Sequence, residues 1–404
     1  MSEKNLIPEL RFPAFEKDGE WTVSSIDKLC DILNNIRKPV TSTNRTAGPY
    51  PYYGASGIID FIDKFLFDER LLLIGEDGAK WGAYDNTAFL VEGKYWVNNH
   101  AHVLKPIGID EKLLESYLVK LDLNPYITGA APPKLTLRKL KEIPVPVPST
   151  PEEQQKIASC LSSLDELIAA HKDKLDALKD HKKGLLQNLF PQEGETVPKL
   201  RFPEFEEDGE WELKPFSKFI KLYRGSSPRP IREYLTKEET GVNWIKIGDT
   251  SSITDFVIRS VSEKITPKGA EKSRRVKKGE LILANSMSYG STYLLEVEGC
   301  IYDGWFVLRE YEEHFDKQFL LQLLNSEYTQ GQYKRFAAGG IVQNISSEIV
   351  YSITLSKTSK EEQQKIASCL SAVDELITAQ QDKIEQLQQH KKGLMQGLFP
   401  KIND

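Results

Sequence analysis

Two histidines are the first residues whose types and spacing could do chemistry. His100 and His102 alternate in VNNHAHVLK, so on a strand both imidazoles would lie on one face, as two ligands of a metal ion would. No cysteine or carboxylate cluster close to them in sequence completes a set of ligands. We therefore expect no metal site at these histidines.

Other enzyme motifs in the sequence are incomplete. Asn-Pro-Tyr at 124–126 is close to the Asn-Pro-Pro-Tyr segment of adenine methyltransferases, but the second proline is missing and no glycine-rich loop precedes it. Glu-Leu-Lys at 212–214 has the end of a nuclease motif without its upstream acid. No GxxxxGK[ST] sequence exists, which excludes a P-loop ATPase. AAGG at 337–340 predicts a tight turn. We expect neither a catalytic constellation nor a cofactor bound by this chain.

The composition is that of a globular protein. The chain has 404 residues, 40% hydrophobic and 28% charged, which is long enough for two or more cores. Four cysteines form no disulfide framework. The start MSEKNLIPELRF lacks the apolar stretch of a signal peptide, and no apolar run reaches the ~18 residues of a membrane span. We expect a cytoplasmic protein with free thiols.

The net charge of −6 is unevenly distributed. The acidic excess lies in segments 1–21, 151–195, 196–211 and 360–404, whereas 22–150 and 212–359 together hold 36 basic and 33 acidic residues. Within the second of these, 224–278 has 13 basic and 7 acidic residues. A binding footprint is local, so the overall charge does not exclude an anionic partner.

Two phrases occur twice. LRFPAFEKDGEW at 10–21 returns as LRFPEFEEDGEW at 200–211, and we name these the leader segments. EEQQKIASCLS at 152–162 returns unchanged at 361–371, and we name these the helix-start repeats. Two nearly identical frames thus enclose two different sequences, the second of which is longer.

Each helix-start repeat opens a long helix with a 3.5-residue apolar period, which is the signature of a left-handed coiled coil. The stretch 152–187 has no internal proline, opens after Ser149-Thr150-Pro151 and would be ~55 Å long. The predicted coiled-coil positions are Ile157, Leu161, Leu164, Ile168, Leu175, Leu178, Ile366, Leu370, Val373, Ile377, Ile384 and Leu387.

The most economical partner for one such apolar stripe is the other copy, so we expect the two helices to pair as an antiparallel coiled coil. His171, Lys182, Gln380 and Lys391 interrupt the stripes, and such polar residues can set the register of a coiled coil. The alternative is that each helix covers its own domain.

The two sequences between the leader segments and the helix-start repeats are predicted to have the same fold. RLLLIGEDGAKWGAY at 70–84 matches GELILANSMSYGSTYL at 279–294, and EGKYWVNNHAHVLK at 92–105 matches EGCIYDGWFVLR at 298–309. Strand-like runs with one or two helices indicate an α+β class with two similar mixed α/β domains. The predicted segments are 1–150, a helix at 151–191, 192–359, and a helix at 360–404.

This pattern resembles the specificity subunit of a type I restriction-modification system. The features that carry the resemblance are the PEEQQKIASCLS helix starts, the closing KKGLLQNLF and KKGLMQGLF, and TGAAPPKLT before the first helix. The resemblance implies two target-recognition domains that read a bipartite, gapped target in double-stranded DNA. It also implies that two methyltransferase (modification) subunits carry S-adenosylmethionine, while restriction or motor subunits carry ATP and Mg²⁺.

Under this resemblance, base recognition is expected in the loops that differ most between the two domains. Arginine suits guanine and Asn or Gln suits adenine in the major groove, while lysine mostly meets phosphate. The candidates are Arg37, Lys38, Lys80, Asn98, Asn99, His100, Lys134, Arg224, Ser227, Arg229, Arg232, Lys246, Asn285, Ser286, Tyr289, Gln343 and Asn344.

Two other classes of function stay open on the sequence alone. A coiled-coil scaffold that binds only proteins would show no salt-dependent affinity for DNA, whereas phosphate contacts impose a steep salt dependence. A self-contained enzyme would need motifs that the sequence lacks.

Overall fold

The computed structural model describes residues 6–251, 253–286, 290–337 and 344–402. The chain splits into two compact units: Met1–Asp173 with Asp382–Asp404 form the first, and Lys174–Gln381 forms the second. Each unit therefore contains the beginning of one long helix and the end of the other. The four predicted segment boundaries remain a prediction, since this division follows contacts rather than chain order.

The described part of the first unit contains short strands and three short helices before the first long helix. These are β1 (Thr22–Ser25), α1 (Ile26–Leu29), β2 (Cys30–Ile32), β3 (Ala47–Gly54), β4 (Gly57–Ile62), β5 (Phe67–Asp68), β6 (Leu71–Gly75), β7 (Ala88–Val91), β8 (Lys94–Val97), β9 (Ala101–Pro106), α2 (Glu111–Lys120), α3 (Leu137–Glu142), β10 (Pro144–Val147) and α4 (Pro151–Asn188).

The first unit has two four-stranded sheets. One sheet is antiparallel in the order β2-β9-β6-β7, and the other is mixed in the order β4-β3-β8-β5, with β3 and β8 parallel. Strand β6 reads LLLIG and is buried throughout, which its branched apolar side chains favour. The strands β1 and β10 pair across Thr22 and Val147 and close the domain.

The second unit repeats this order of elements. Its strands and helices in the described residues are β11 (Glu212–Pro215), β12 (Lys221–Arg224), β13 (Leu235–Thr236), β14 (Val242–Ile245), β15 (Val257–Ile258), β16 (Glu263–Ile265), α5 (Pro267–Ala270), β17 (Arg274–Val276), β18 (Leu281–Ala284), β19 (Thr292–Leu295), β20 (Gly299–Ile301), β21 (Trp305–Arg309), α6 (Lys317–Asn325), α7 (Glu327–Ala337), α8 (Ser347–Ser352), β22 (Thr354–Lys357) and α9 (Lys360–Leu398).

The sheets of the second unit match those of the first with one added edge strand each. Their orders are β12-β21-β18-β19-β15 and β13-β16-β14-β20-β17, where β15 and β13 are the additions. Strands β11 and β22 pair as β1 and β10 do. The predicted class, two similar mixed α/β domains each followed by a long helix, is confirmed, and the added strands account for part of the longer second copy.

The leader segments and helix-start repeats make the same contacts in both units. In the first, Arg11 forms a two-pronged ion pair with Glu153, with Nε–Oε1 and Nη2–Oε2 distances of 2.7 Å. In the second, Arg201 meets Glu362 in the same way at 2.8 Å for both contacts. The repeated sequences therefore encode the same ion pair between leader segment and long helix in both units.

A second set of contacts, also present in both units, binds each leader segment to the end of a long helix. Leu10 N donates to Gly397 O, and Leu200 N donates to Asn188 O, both at 2.8 Å. Trp21 packs edge-on against Phe399 in the first unit, as does the tryptophan of the second leader segment against Phe190. The closing Phe-Pro of each long helix thus completes a hydrophobic core.

The predicted apolar stripes are the shielded sides of both long helices. Ile157, Leu161, Ile168, Ile366, Leu370, Val373, Ile384 and Leu387 are buried, and Leu164, Leu175, Leu178 and Ile377 are half-buried. Within the first unit Lys391 of α9 forms an ion pair with Asp165 of α4, and within the second Lys182 of α4 lies 2.7 Å from Asp374 of α9. A coiled coil continuous along both helices remains a prediction.

The starts of the long helices also belong to the domain cores. Ile157 and Leu161 lie in the core of the first unit with Trp21, and Ile366 and Leu370 lie in the core of the second. The alternative of a helix covering its own domain therefore describes these first two turns. In the described parts of the chain, every helix is too short or too polar to cross a membrane.

Candidate nucleic-acid interface

Loops from distant parts of the sequence meet at one edge of the first unit. Strands β6 and β9 are antiparallel, with Gly75 opposite Ala101, so the loop after β6 and the loop before β9 emerge together. Glu76 N donates to His100 O at 2.8 Å. The loop before α3 joins them, since Leu135 N donates to Glu76 O at 2.8 Å.

A charged network links these loops through two acidic side chains. Lys134 lies 2.8 Å from Asp77, which also contacts His100 Nδ1. Arg37, from the loop after β2, lies 2.7 Å from Glu76 and donates to Ala101 O at 2.7 Å. The predicted candidates Arg37, His100 and Lys134 are therefore neighbours around Glu76 and Asp77.

Asp77 is held in its charged form. Burial alone would raise its pKa, but hydrogen bonds from Lys134 and His100 outweigh this and place the pKa of Asp77 below its ordinary value. An ionised Asp77 orients a lysine and a histidine toward the same loop edge. Such an edge presents hydrogen-bond donors to a polar, anionic ligand.

His102 is structural. Its ring is fully buried, with Nε2 2.7 Å from Leu135 O and Nδ1 2.8 Å from Asn34 Nδ2. Because a carbonyl only accepts, Nε2 carries the proton and Nδ1 accepts from the amide. Both ring nitrogens are used, so His102 is not a metal ligand in this arrangement. Burial also lowers the pKa of His102, which keeps the ring neutral.

The second unit brings its corresponding loops together around Asp303. Ile345 N donates to Asn285 O at 2.7 Å, and Ser286 pairs with Asn344 as a single bridge, which joins the loop after β18 to the loop before α8. Asp303, in the loop before β21, accepts at its carbonyl from Asn285 Nδ2 at 3.0 Å.

Three further candidates converge on Asp303 from the end of β12 and the loop that follows it. Arg224 Nε donates to the Asp303 carbonyl at 3.3 Å, Ser227 Oγ hydrogen-bonds its carboxylate, and Arg229 Nη2 lies 3.4 Å from Oδ2. The hydrogen bond from Ser227 holds the pKa of Asp303 below its ordinary value. Arg224, Ser227, Arg229 and Asn285, four of the residues predicted in the second unit, thus contact Asp303.

A cavity of about 840 Å³ adjoins this cluster. Its walls include Trp244 and Tyr302, and Arg229, Arg232 and Lys246 lie around it. Lys246 lies 2.6 Å from Glu263. Aromatic faces beside guanidinium groups suit the stacking and hydrogen bonding that nucleotides offer.

Two predicted residues have structural roles instead of facing a ligand. Asn98 is 3% exposed and its Oδ1 accepts from His100 N at 2.8 Å, so it holds the loop before β9 in shape. Asn285 is 2% exposed, with its amide bonded as above. Both support their loops from behind. For an asparagine between a strand and a loop, the sequence gives no signal that separates a structural role from contact with a ligand.

The remaining candidates are distributed as follows. Lys38, Lys80 and Asn99 are exposed in loops of the first unit. Tyr289 and Gln343 lie outside the described residues.

The acidic residues at the centre of each cluster were not predicted. Asp77 precedes Gly78 and Asp303 precedes Gly304, each just beyond a strand, and this Asp-Gly pairing is the signal that could have indicated them. Among the described residues, no group of three or more His, Cys, Asp or Glu is arranged to hold a metal ion.

Comparison with known proteins assigns the chain. The family model described as "Type I restriction modification DNA specificity domain" matches it twice, at residues 18–180 and 209–389. The chain belongs to this family. It is therefore a non-catalytic specificity subunit, whose task is the recognition of a DNA target. The two matches coincide with the two repeats of the sequence.

Related proteins cover nearly the whole chain. The type I restriction enzyme specificity subunit S.HindORF215P of Haemophilus influenzae is 26% identical over 375 residues, which are 89% of each chain. The type I restriction enzyme MjaVIII specificity subunit of Methanocaldococcus jannaschii is 24% identical over 407 residues, 93% of this chain and 91% of that one. The crystal structure of a type I S subunit from M. genitalium has the same fold, with a TM-score of 0.61, 15% identity and coverage of 98% and 100%.

Proposed function

We propose that this specificity subunit reads a bipartite, gapped DNA sequence, one half with each unit, and directs modification and restriction subunits to it. One observation supports this proposal most directly. Equivalent loops of the two units converge at equivalent strand ends but present different side chains. The first offers Arg37, His100 and Lys134, and the second offers Arg224, Ser227 and Arg229 with Asn344. One scaffold with two sets of donors suits two different half-sites.

The exposed residues of the helix-start repeats support the binding of two copies of one partner protein. Glu153 and Gln154 are buried and bonded within the domain, so packing explains why they recur. Gln155 and Ser159 are exposed, as are their counterparts Gln364 and Ser368, and packing gives no reason for their identity. The same exposed surface shown twice fits two identical modification subunits.

The long helices supply the spacing between half-sites in this proposal. The helices α4 and α9 have 38 and 39 residues. Each is therefore ~57 Å long, enough to span more than one ~34–36 Å turn of duplex. S-adenosylmethionine would be held by the modification subunits, and ATP and Mg²⁺ by the restriction subunits. The complex would act in the cytoplasm, where chromosomal DNA lies.

Domain replacement tests the proposal. Strands β1 and β10 pair antiparallel across Thr22 and Val147, so a replacement of residues 22–150 has its two junctions side by side. With a donor segment from a related subunit, we expect methylome sequencing to show one half of the modified sequence changed and the other half retained. Replacement of 212–359 should change only the other half. Simultaneous change of both halves, or of neither, would contradict the assignment of one half-site to each unit.

A further inference from the structure

A basic groove in the second unit lies beside the loop that carries Ser227. Its lining includes Lys272, Arg274, Arg275, Lys277 and Arg309 around a cavity of about 520 Å³, and Glu271 is the acidic residue among them. We name these five cations the basic groove. None of them was among the candidates predicted from the sequence.

The basic groove is attached directly to the candidate interface. Arg274 Nε donates to Arg224 O at 3.2 Å, and Ser226 Oγ donates to Lys272 O at 3.3 Å. Arg274 and Arg309 also lie over the ring of Tyr223, 5.7 and 5.6 Å from its centre. The groove therefore contacts the end of β12 and the loop after it, which also supply Arg224, Ser227 and Arg229 to the Asp303 cluster.

The cations of the groove outnumber the acids that could neutralise them. Arg309 lies 2.7 Å from Glu280. In the described chain, Arg275 and Lys277 have no acidic side chain within ion-pair distance, and both are exposed. Closely spaced cations repel one another unless an anion is bound, so this surface favours a partner with regularly repeated negative charge.

The first unit has different residues at the equivalent place. Strand β5 pairs with β8 as β17 pairs with β20, and the registers place Asp68 where the second unit has Lys277. The same alignment places Phe65 and Leu66 where Arg274 and Arg275 stand. Asp68 lies 4.0 Å from Lys94, so charge there is locally balanced.

We propose that the basic groove binds the phosphates of the duplex beside the half-site of the second unit, so that this unit supplies more of the salt-dependent affinity than the first. The proposal rests on the proposed function. It adds an asymmetry: both units read bases, but the second also holds the DNA backbone irrespective of sequence. Phosphate contacts position a protein on DNA and carry no sequence information directly.

The test uses the assembled complex with its modification subunits and measures DNA affinity as a function of salt. The variant R275Q/K277Q removes two exposed cations, and the matched control K64Q/K94Q removes two exposed lysines near β5 of the first unit. Since each phosphate contact contributes about 0.9 to the slope of log affinity against log salt, we expect a decrease of about 1.8 for the variant and less than half of that for the control.

Three results separate the possible failures. Loss of affinity by the same factor on a target and a scrambled duplex, with an unchanged methylated sequence, supports backbone binding. An unchanged slope, or an equal decrease in the control, overturns the inference. The single variant Lys277→Gln, with an expected decrease of about 0.9, gives the same decision with one substitution. Absence of any preference of the unaltered complex for its methylated target would instead overturn the proposed function.

Discussion

Arg201 and Glu362 form a two-pronged ion pair whose side chains are 6% and 0% exposed. The pair joins a leader segment to the start of a long helix, and Arg11 with Glu153 repeats it in the other unit at 6% and 1%. Arg201 Nη1 also donates to Gly209 O at 2.6 Å. The guanidinium thus closes the leader segment on itself and ties it to the helix.

Removal of one partner of this buried pair should be strongly destabilising. Arg201→Ala leaves Glu362 buried and uncompensated, which typically costs 3–5 kcal/mol. We expect a lower urea midpoint for the second unit. Arg259→Ala is the control, because Arg259 forms its ion pair with Asp255 at an exposed position, where such pairs contribute at most about 1 kcal/mol. Equal losses in the two variants would contradict the central role of the buried pair.

Stability should fall in mild acid because of His102. The folded pKa of this buried ring is lowered, so the unfolded chain binds the proton more readily, and the free energy of unfolding decreases as the pH falls below ~6.5. One proton contributes at most about 1.4 kcal/mol per pH unit.

Denaturation between pH 7 and pH 5.5 measures this effect. The variant His102→Gln should show a flatter dependence than the unaltered protein, while His181→Gln, at an exposed position, should not. An equally steep dependence without His102 would show that another group carries it.

Asp303 should control one half of the target only. Asp303→Asn keeps the size of the side chain but removes the charge that holds Ser227 and Arg229. We expect relaxed discrimination by about 1–3 kcal/mol at the base pairs read by these residues. Methylation mapping should show degenerate positions in one half-site. Asp27→Asn, at an exposed ion pair with Lys141, should leave both halves unchanged.

The exposed repeat positions should each hold one modification subunit. Ser159→Arg or Ser368→Arg alone should leave one subunit bound per chain, and the double variant should leave none. Native mass spectrometry counts them directly. Ala169→Arg is the control, because the second helix has Thr378 at this position and identity there is not retained. Two subunits retained by the double variant would place the docking surface elsewhere.

The long helices and the central strands were the parts of the molecule most open to prediction from sequence. A long helix leaves a 3.5-residue apolar period, and Leu164, Leu175 and Ile377 are shielded as that period requires. Strands β6 and β18 are recognisable because they are short, apolar and followed by turn residues. These signals are local, so one sequence suffices to read them.

The centre of each site could not be predicted, because it depends on which loops meet. Asp77 and Lys134 are far apart in the chain, and they come within 2.8 Å only because the loop before α3 bonds to the loop after β6, through Leu135 N and Glu76 O. Asn98 and Asn99 are neighbours with opposite exposure, a difference that a hydrogen-bonded loop decides. Whether Ile157 packs in a domain core or in a coiled coil was left open for a similar reason, since a heptad pattern does not show where the helix leaves its domain.

The first unit requires both ends of the sequence, because Trp21 and Phe399 share its core. The second unit is one uninterrupted stretch, Lys174–Gln381. During translation the ribosome therefore synthesises every residue of the second unit before the last helical turns of the first. Since domains fold as their residues emerge, the later-encoded unit should reach its native state first, while the earlier-encoded one waits with an open apolar face. For the nascent chain, that waiting period is when chaperones matter most.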